Sequence, residues 1–347
     1  MKKKLLCMLL AAMLILALFA GCASDGAGED ASGNEASDTK TESGADAADL
    51  DEMSEEGPEV ELGALLDEAV PLADAPNLGM VLTTTAPGTD VKSNESAVID
   101  YSNTSDGYIM ASWLADASSG VKVLVAGPSG TTYQYNLRTD GAYEAFPLSD
   151  GNGSYTVGVY KNTSGTKYVT ILSVTFSATL KDQFAPFIRP NQYVYYSENS
   201  EAVKKAKELC AGAGNNLAKV ESVYNFVVGH VTYDKAKAQS VKSGYLPDID
   251  ETLRTGKGIC FDYASLMAAM LRSQGVPVKL VLGYTDGAYH AWISVWSETD
   301  GWVEGKIYFN GTEWKLMDPT FASSSNNSES VLEYIGNGEN YTAKYLY

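Results

Sequence analysis

Positively charged residues are scarce in this sequence. Its 347 residues include 25 Lys and Arg against 44 Asp and Glu, which gives a formal net charge of −19. Proteins that bind nucleic acids usually present a basic face that neutralises phosphate groups. The composition argues against such a face, and we expect no nucleic acid partner.

An apolar run long enough to cross a membrane comfortably is missing at the start of the chain. The apolar run there covers residues 5–20 and follows three lysines. It is shorter than a typical membrane-spanning helix. A positive start followed by a short apolar run is typical of an export signal.

The end of this run, Leu-Phe-Ala-Gly-Cys, resembles a bacterial lipobox. The resemblance implies that residues 1–22 are a lipoprotein signal peptide and that Cys22 is acylated. The protein would then be extracytoplasmic and lipid-anchored to the bacterial cell membrane. The alternative is an ordinary cleaved signal peptide with an unrelated cysteine.

Cysteine is rare as well, with four residues in the chain. Cys7 lies within the signal and Cys22 is the predicted anchor, which leaves Cys210 and Cys260 for the folded part. Outside the cytoplasm these two could form one disulfide. The alternative is that one of them is a nucleophile.

Residues 23–76 contain few large apolar residues and carry most of the excess negative charge. Fourteen acidic residues and one lysine fall between residues 23 and 62. Such a segment cannot bury enough apolar surface to fold, and its like charges keep it extended. We predict an acidic disordered tether.

Residues 77–182 alternate short β-prone runs with turn residues. Seven regularly spaced short strands predict an all-β sandwich domain of the immunoglobulin-like kind. A module that binds carbohydrate or cell wall and a plain spacer domain remain alternatives. The candidate strands cover residues 97–102, 108–115, 121–126, 132–137, 143–148, 155–160 and 168–180.

Residues 183–347 show helical periodicity followed by strand patterns. A helix is predicted after Cys260 as far as Gln274, because Gly275 and Pro277 then stop it. Strand-like runs follow at residues 278–284, 289–296 and 302–309. Helices followed by an antiparallel sheet predict an α+β domain.

Cys260 stands where a glycine-containing loop enters this helix. The backbone N–H groups and the dipole at a helix start favour a thiolate. Gly256 and Gly258 keep the approach to the sulfur open. The alternative is a buried cysteine that acts as a small hydrophobic residue.

The chain has two histidines, His230 and His290. His290 lies on a predicted strand, which would give a general base a rigid mount. Asp318 follows the next strand-like runs and precedes Pro319, where its carboxylate could orient an imidazole. A structural histidine and a plain Asp-Pro turn are the alternatives.

Together these elements resemble the transglutaminase-like family over residues 216–321. The resemblance implies a papain-like α+β fold and a catalytic triad of Cys260, His290 and Asp318. Tyr233 is the candidate for a further oxyanion donor, although a packing tyrosine would look the same. The motifs are Gly-Lys-Gly-Ile-Cys-Phe-Asp-Tyr-Ala (256–264), Gly-Val-Pro (275–277), Gly-Tyr (283–284), His-Ala-Trp (290–292) and Met-Asp-Pro-Thr (317–320).

The resemblance implies a thiol acyltransferase or hydrolase that acts on carboxamide or peptide bonds through a thioacyl intermediate. Its substrates would be proteins or peptides, with cell-wall peptides a candidate because of the location. We find no counterpart of the calcium-binding insertions of the animal enzymes, and we predict no metal and no cofactor. Cys210 would be structural. The alternative function is a non-catalytic binding or scaffold module at the cell surface.

Overall fold

Two antiparallel sheets form the N-terminal part of the described chain. The computed structural model describes residues 48–49, 81–116, 118–285, 287–297, 301–303, 320 and 341–347. A four-stranded sheet has the order β2 (Val91–Ser93), β3 (Ala97–Asp100), β4 (Tyr108–Trp113) and β7 (Glu144–Pro147). A five-stranded sheet has the order β1 (Ala48–Asp49), β9 (Lys167–Ala178), β8 (Gly153–Ser164), β5 (Val121–Ala126) and β6 (Thr132–Leu137).

Each of the seven candidate strands overlaps an observed strand, from β3 to β9. Alternate residues of these strands share one core, because successive side chains of a strand point to opposite faces. Ile99, Ile109, Val123 and Val157 are completely buried in that core. The assignment of residues 77–182 as a separate immunoglobulin-like sandwich stays a prediction.

Between residues 201 and 273 the structure describes five α-helices. They are α1 (Glu201–Leu209), α2 (Asn216–His230), α3 (Lys235–Ser240), α4 (Ile249–Thr255) and α5 (Cys260–Ser273). Every residue of α5 from Asp262 to Ser273 is buried, so α5 is the central helix of this part. Gly275 has a φ of 81°, a left-handed conformation that ends the helix as expected.

A four-stranded antiparallel sheet packs against α5. Its order is β14 (Gly301–Val303), β13 (Ala288–Ser297), β12 (Val278–Thr285) and β15 (Tyr341–Leu346). The predicted strands at residues 278–284 and 289–296 are confirmed. Helices packed on this sheet give the expected mixed α and β content of the C-terminal part.

Arg272 ties the end of α5 to the sheet. Its guanidinium is fully buried and donates to the backbone carbonyls of Val278, Arg189 and Tyr347 at 2.6–3.0 Å. This burial lowers the pKa of Arg272 to about 10. The carbonyl dipoles therefore hold a cation in the interior and fix three chain segments around it.

Aromatic side chains connect the N-terminal sheets to the C-terminal part. Tyr135 and Tyr193 lie 5.4 Å apart between ring centroids, and Tyr193 and Tyr347 lie 4.5 Å apart. The Ser265 hydroxyl on α5 donates to the carbonyl of Tyr193 at 2.7 Å. The described residues from Ala48 onward therefore belong to one compact unit, and the boundary after residue 182 stays a prediction.

The N-terminal predictions fall outside this description. Residues 1–22, including Cys22, and nearly all of residues 23–76 lie outside the described residues. Among the helices that the structure describes, none has the length and hydrophobicity needed to cross a membrane.

Candidate active site

Cys260 is the first residue of α5, as the sequence predicts. Its side chain is partly exposed, and the sulfur is a free thiol. A thiol at this position faces the unpaired N–H groups of the first helical turn, which favour a negative charge. The start of α5 is also the position at which the sequence predicts the nucleophile.

The loop before Cys260 is held by backbone hydrogen bonds to the segment that follows α2. Thr232 N–H donates to the Gly256 carbonyl and Asp234 N–H donates to the Gly258 carbonyl, both at 2.9 Å. These bonds form a short parallel pair of β10 (Thr232–Tyr233) and β11 (Lys257–Gly258). The approach to the cysteine is thus a fixed element of the fold.

Gly258 is required at its position by close packing. A Cβ atom added there would lie 2.7 Å from the Cβ of Asp262, which is too close for two carbon atoms. The glycine lets the loop lie directly against the first turn of α5. Any larger residue would displace the segment that carries Cys260.

Tyr233 lies beside this loop, because its backbone pairs with Gly258 two residues before the cysteine. The phenol ring is partly buried. The position is compatible with the predicted oxyanion donor and also with a packing tyrosine. The role of Tyr233 therefore stays a prediction.

A polar network that sequence reasoning missed lies behind the loop. The carboxylate of Asp262 is completely buried and accepts from the Ile259 N–H at 2.8 Å. It also accepts from Lys237 Nζ at 2.7 Å and from the Tyr245 hydroxyl at 2.5 Å. An acidic residue at the third position of a helix is a known capping signal and could have indicated the first of these bonds.

His290 lies near the start of β13 and is 7% exposed. It pairs with Gly283 on β12, where an added Cβ would overlap the carbonyl oxygen of Thr342. The imidazole contacts the rings of Trp292 and Tyr341, with centroids 6.2 and 6.4 Å away. Trp292 and Tyr341 share a cluster with Val281 on one face of the sheet.

The other face of the sheet packs against α5. Leu280, Leu282, Ala291 and Ile293 belong to the same core as the apolar side chains of α5. By strand alternation His290 and Trp292 share the first face, whereas Tyr289 points to the α5 face.

Tyr289 shows that Cys260 and the start of β13 lie at the same end of the sheet. Partial burial raises the pKa of Tyr289, and the neighbouring Tyr193, Tyr345, Tyr284 and Cys260 raise it further. Electrostatic influence of this kind requires the Cys260 thiol to lie near the Tyr289 hydroxyl. His290 is the next residue along that strand. Asp318 lies outside the described residues, so the triad stays a prediction.

The second cysteine and the second histidine both have structural surroundings. Cys210 is a buried free thiol whose pKa is raised by burial, and Cys260 is free as well, so the two do not form a disulfide. His230 Nε2 lies 2.6 Å from the Leu253 carbonyl, and its ring stacks on Phe226. His230 therefore connects α2 to α4.

Metal ligands do not cluster in the described ranges. No group of three or more His, Cys, Asp or Glu side chains there is arranged to hold a metal ion. The groups that the structure describes at the start of α5 are the Cys260 thiol, the glycine-containing loop before it, and the ion pair between Asp262 and Lys237.

Part of this chain is similar to one family of known proteins. Residues 203–319 match the model of the transglutaminase-like superfamily. The chain is 33% identical over 119 residues to kyphoscoliosis peptidase of Homo sapiens, covering 33% of this chain and 17% of that protein. It is 29% identical over 93 residues to a protein-glutamine gamma-glutamyltransferase of Pseudomonas aeruginosa, covering 23% of this chain and 12% of that protein.

A solved structure, the periplasmic domain of TgpA from Pseudomonas aeruginosa, is similar with a TM-score of 0.32 and 16% identity. The similarity covers 70% of this chain and 99% of that chain. The aligned part spans less than a fifth of the length of either curated relative.

Proposed function

We propose that the protein is a cysteine acyltransferase or hydrolase that acts on carboxamide or peptide bonds, because residues 203–319 match the model of the transglutaminase-like superfamily. One observation carries the proposal: Cys260 is a free, partly exposed thiol at the N-terminus of a buried helix. Such positions lower the free energy of a thiolate and leave it accessible to a carbonyl carbon.

In the proposed mechanism His290 takes the thiol proton and Asp318 orients and stabilises the imidazolium. The Cys260 sulfur attacks the carbonyl carbon, and the carbonyl electrons move to the oxygen. The Cys260 N–H and Tyr233 stabilise that oxyanion. The oxyanion collapses, the imidazolium protonates the departing amine or ammonia, and a thioester remains.

A second nucleophile then resolves the thioester. An amine produces a crosslink, whereas water produces deamidation or proteolysis. Both routes use the same triad, so the choice depends on which nucleophile reaches the site.

The mechanism requires the His290 ring to come within hydrogen-bond reach of the Cys260 thiol when substrate binds. Catalytic hydrogen bonds are often long or poorly aligned before substrate binds. His290 is next to Tyr289, which senses the Cys260 thiol.

The proposed location is outside the cytoplasm, with the chain attached to the membrane through an acylated Cys22. Support comes from the lipobox-like sequence and the acidic residues that follow it. Secreted proteins or cell-wall peptides would then be the substrates, and residues 77–182 would form a sandwich domain that acts as a spacer or binds the wall.

The test is mass spectrometry of the full chain incubated with glutamine-containing peptides, with and without a primary amine. We expect a covalent acyl adduct on Cys260 and either an amine conjugate or a deamidated or cleaved peptide. The matched control is Cys210→Ala, which removes the other thiol of the folded part and should leave the products unchanged. Products that persist in Cys260→Ala would contradict the proposal.

A non-catalytic scaffold is the second candidate, because the His290 ring packs on the aromatic rings of Trp292 and Tyr341. Iodoacetamide distinguishes the two functions. If the protein is an enzyme, iodoacetamide should alkylate Cys260 near neutral pH much faster than it alkylates the buried Cys210. Equal slow alkylation of both thiols would favour the scaffold.

A further inference from the structure

A buried carboxylate accepts a hydrogen bond from the backbone that immediately precedes the proposed nucleophile. The Asp262 carboxylate reaches back to the N–H of Ile259, the residue immediately before Cys260. Its side chain is shielded from water, so its charge acts over a longer range than that of an exposed carboxylate. Alone, this charge would oppose a thiolate at Cys260, since like charges disfavour ionisation.

Lys237 is the cation that faces this carboxylate. Its Nζ lies 2.7 Å from Asp262 Oδ2, and its side chain is 29% exposed. The ammonium also lies 4.5 Å from the centroid of the Tyr245 ring and 2.6 Å from the Tyr245 hydroxyl. The lysine is fixed on α3, which Asp234 caps by accepting from the Lys237 N–H at 2.9 Å.

Tyr245 completes the network from the segment between α3 and α4. Its hydroxyl donates to Asp262 at 2.5 Å. Burial and the adjacent Asp262 raise the pKa of Tyr245, so the phenol stays protonated and remains a donor. Three donors from three chain segments therefore hold one carboxylate at the start of α5.

We propose that Lys237 is a positioning residue that neutralises Asp262 and so allows the start of α5 to favour a thiolate at Cys260. The inference rests on the proposed function only in treating Cys260 as the nucleophile. The lysine does not touch substrate. It acts through Asp262, which holds the Ile259 N–H and with it the backbone that presents the sulfur.

Other charged and titratable groups surround the same loop. Asp234, Tyr233, Asp248 and Tyr289 come from segments packed against it, and Lys257 belongs to the loop itself. Lys237 differs from Lys257, the lysine of the loop, because Lys237 bonds directly to the buried carboxylate of Asp262.

The test is the pH dependence of Cys260 alkylation by iodoacetamide in the full chain, measured by peptide mass spectrometry. Lys237→Met should raise the pH at which alkylation reaches half its maximal rate, the midpoint, by about one unit, because it leaves Asp262 without its cation. Lys237→Arg keeps the charge and should stay near the wild-type midpoint. Lys235→Met is the matched control, because Lys235 is an exposed lysine on the same helix.

The opposite change at Asp262 separates charge from structure. Asp262→Asn should lower the midpoint, and the double variant with Lys237→Met should return close to the wild type. If Asp262→Asn does not fold, the comparison of Met with Arg at position 237 decides alone.

Unchanged midpoints in Lys237→Met, or shifts in the same direction for both single variants, would overturn the inference. If the alkylation midpoint shifts in Lys237→Met but the wild-type chain carries out no acyl transfer, the inference about Lys237 is upheld and the proposed function is refuted. If the chain carries out acyl transfer but the alkylation midpoint does not shift in Lys237→Met, the inference is overturned and the proposed function stands.

Discussion

An added methyl group at Gly283 should destabilise the fold next to His290, the proposed base. The glycine lies on β12 opposite His290 on β13, and β15 runs along its other side. A Cβ there would overlap the Thr342 carbonyl oxygen and lie 2.7 Å from the Trp292 ring. The backbone of β15 and a buried indole would both have to move.

Overpacking of this kind costs about 1–3 kcal/mol at ordinary core positions. Because one obstacle is backbone, we expect Gly283→Ala to lower the free energy of unfolding by about 3 kcal/mol. For a folded part of this size the melting temperature should fall by about 6 °C.

The measurement is urea and thermal unfolding of the full chain, followed by circular dichroism. Gly229→Ala is the matched control, because it makes the same substitution in α2 with no atom within 4 Å of the new Cβ. It should raise stability by up to about 1 kcal/mol through helix propensity. Equal melting temperatures for Gly283→Ala and the wild type would refute the steric argument.

Two further outcomes concern the proposed triad and the anchor. Cys260→Ala should abolish acyl-enzyme formation and His290→Ala should suppress it nearly as far, while Asp318→Asn should leave residual activity. Loss of the acid costs roughly 10⁴-fold in serine triads against about 10⁶-fold for the nucleophile, and the gaps should be smaller for a thiol. His230→Gln, which alters a link between α2 and α4, should leave Cys260 alkylation nearly unchanged; the reverse pattern would show that His290 is not the base. Cys22→Ala should move the protein from the detergent phase to the aqueous phase, and a wild-type chain that is never lipidated would disprove the anchor.

Local patterns were sufficient for the strands and for the position of Cys260. Alternation with a period of two residues is a property of the strand itself, so the seven candidate strands overlap β3 to β9. Gly256, Gly258 and the apolar run after Cys260 likewise predict a helix that begins at the cysteine. These features depend on neighbouring residues, which the sequence shows directly.

The surroundings of His290 depended on tertiary packing. Alternation predicts that His290 and Trp292 share a face, and their ring contact agrees with this. It does not predict which face packs on α5, because every residue of β13 from His290 to Ser297 is buried. With apolar residues on both faces, the hydrophobic pattern has no preferred side.

The sequence was enough to predict a class of chemistry, since a cysteine after glycines at a helix start and the associated motifs resemble the transglutaminase-like family. The tertiary structure alone decided what surrounds that cysteine. Lys237 and Tyr245 reach Asp262 from 25 and 17 residues earlier in the chain. Contacts across such separations form when helices and loops pack, and no local periodicity encodes them. The charge that acts on the Cys260 loop is therefore a product of the fold.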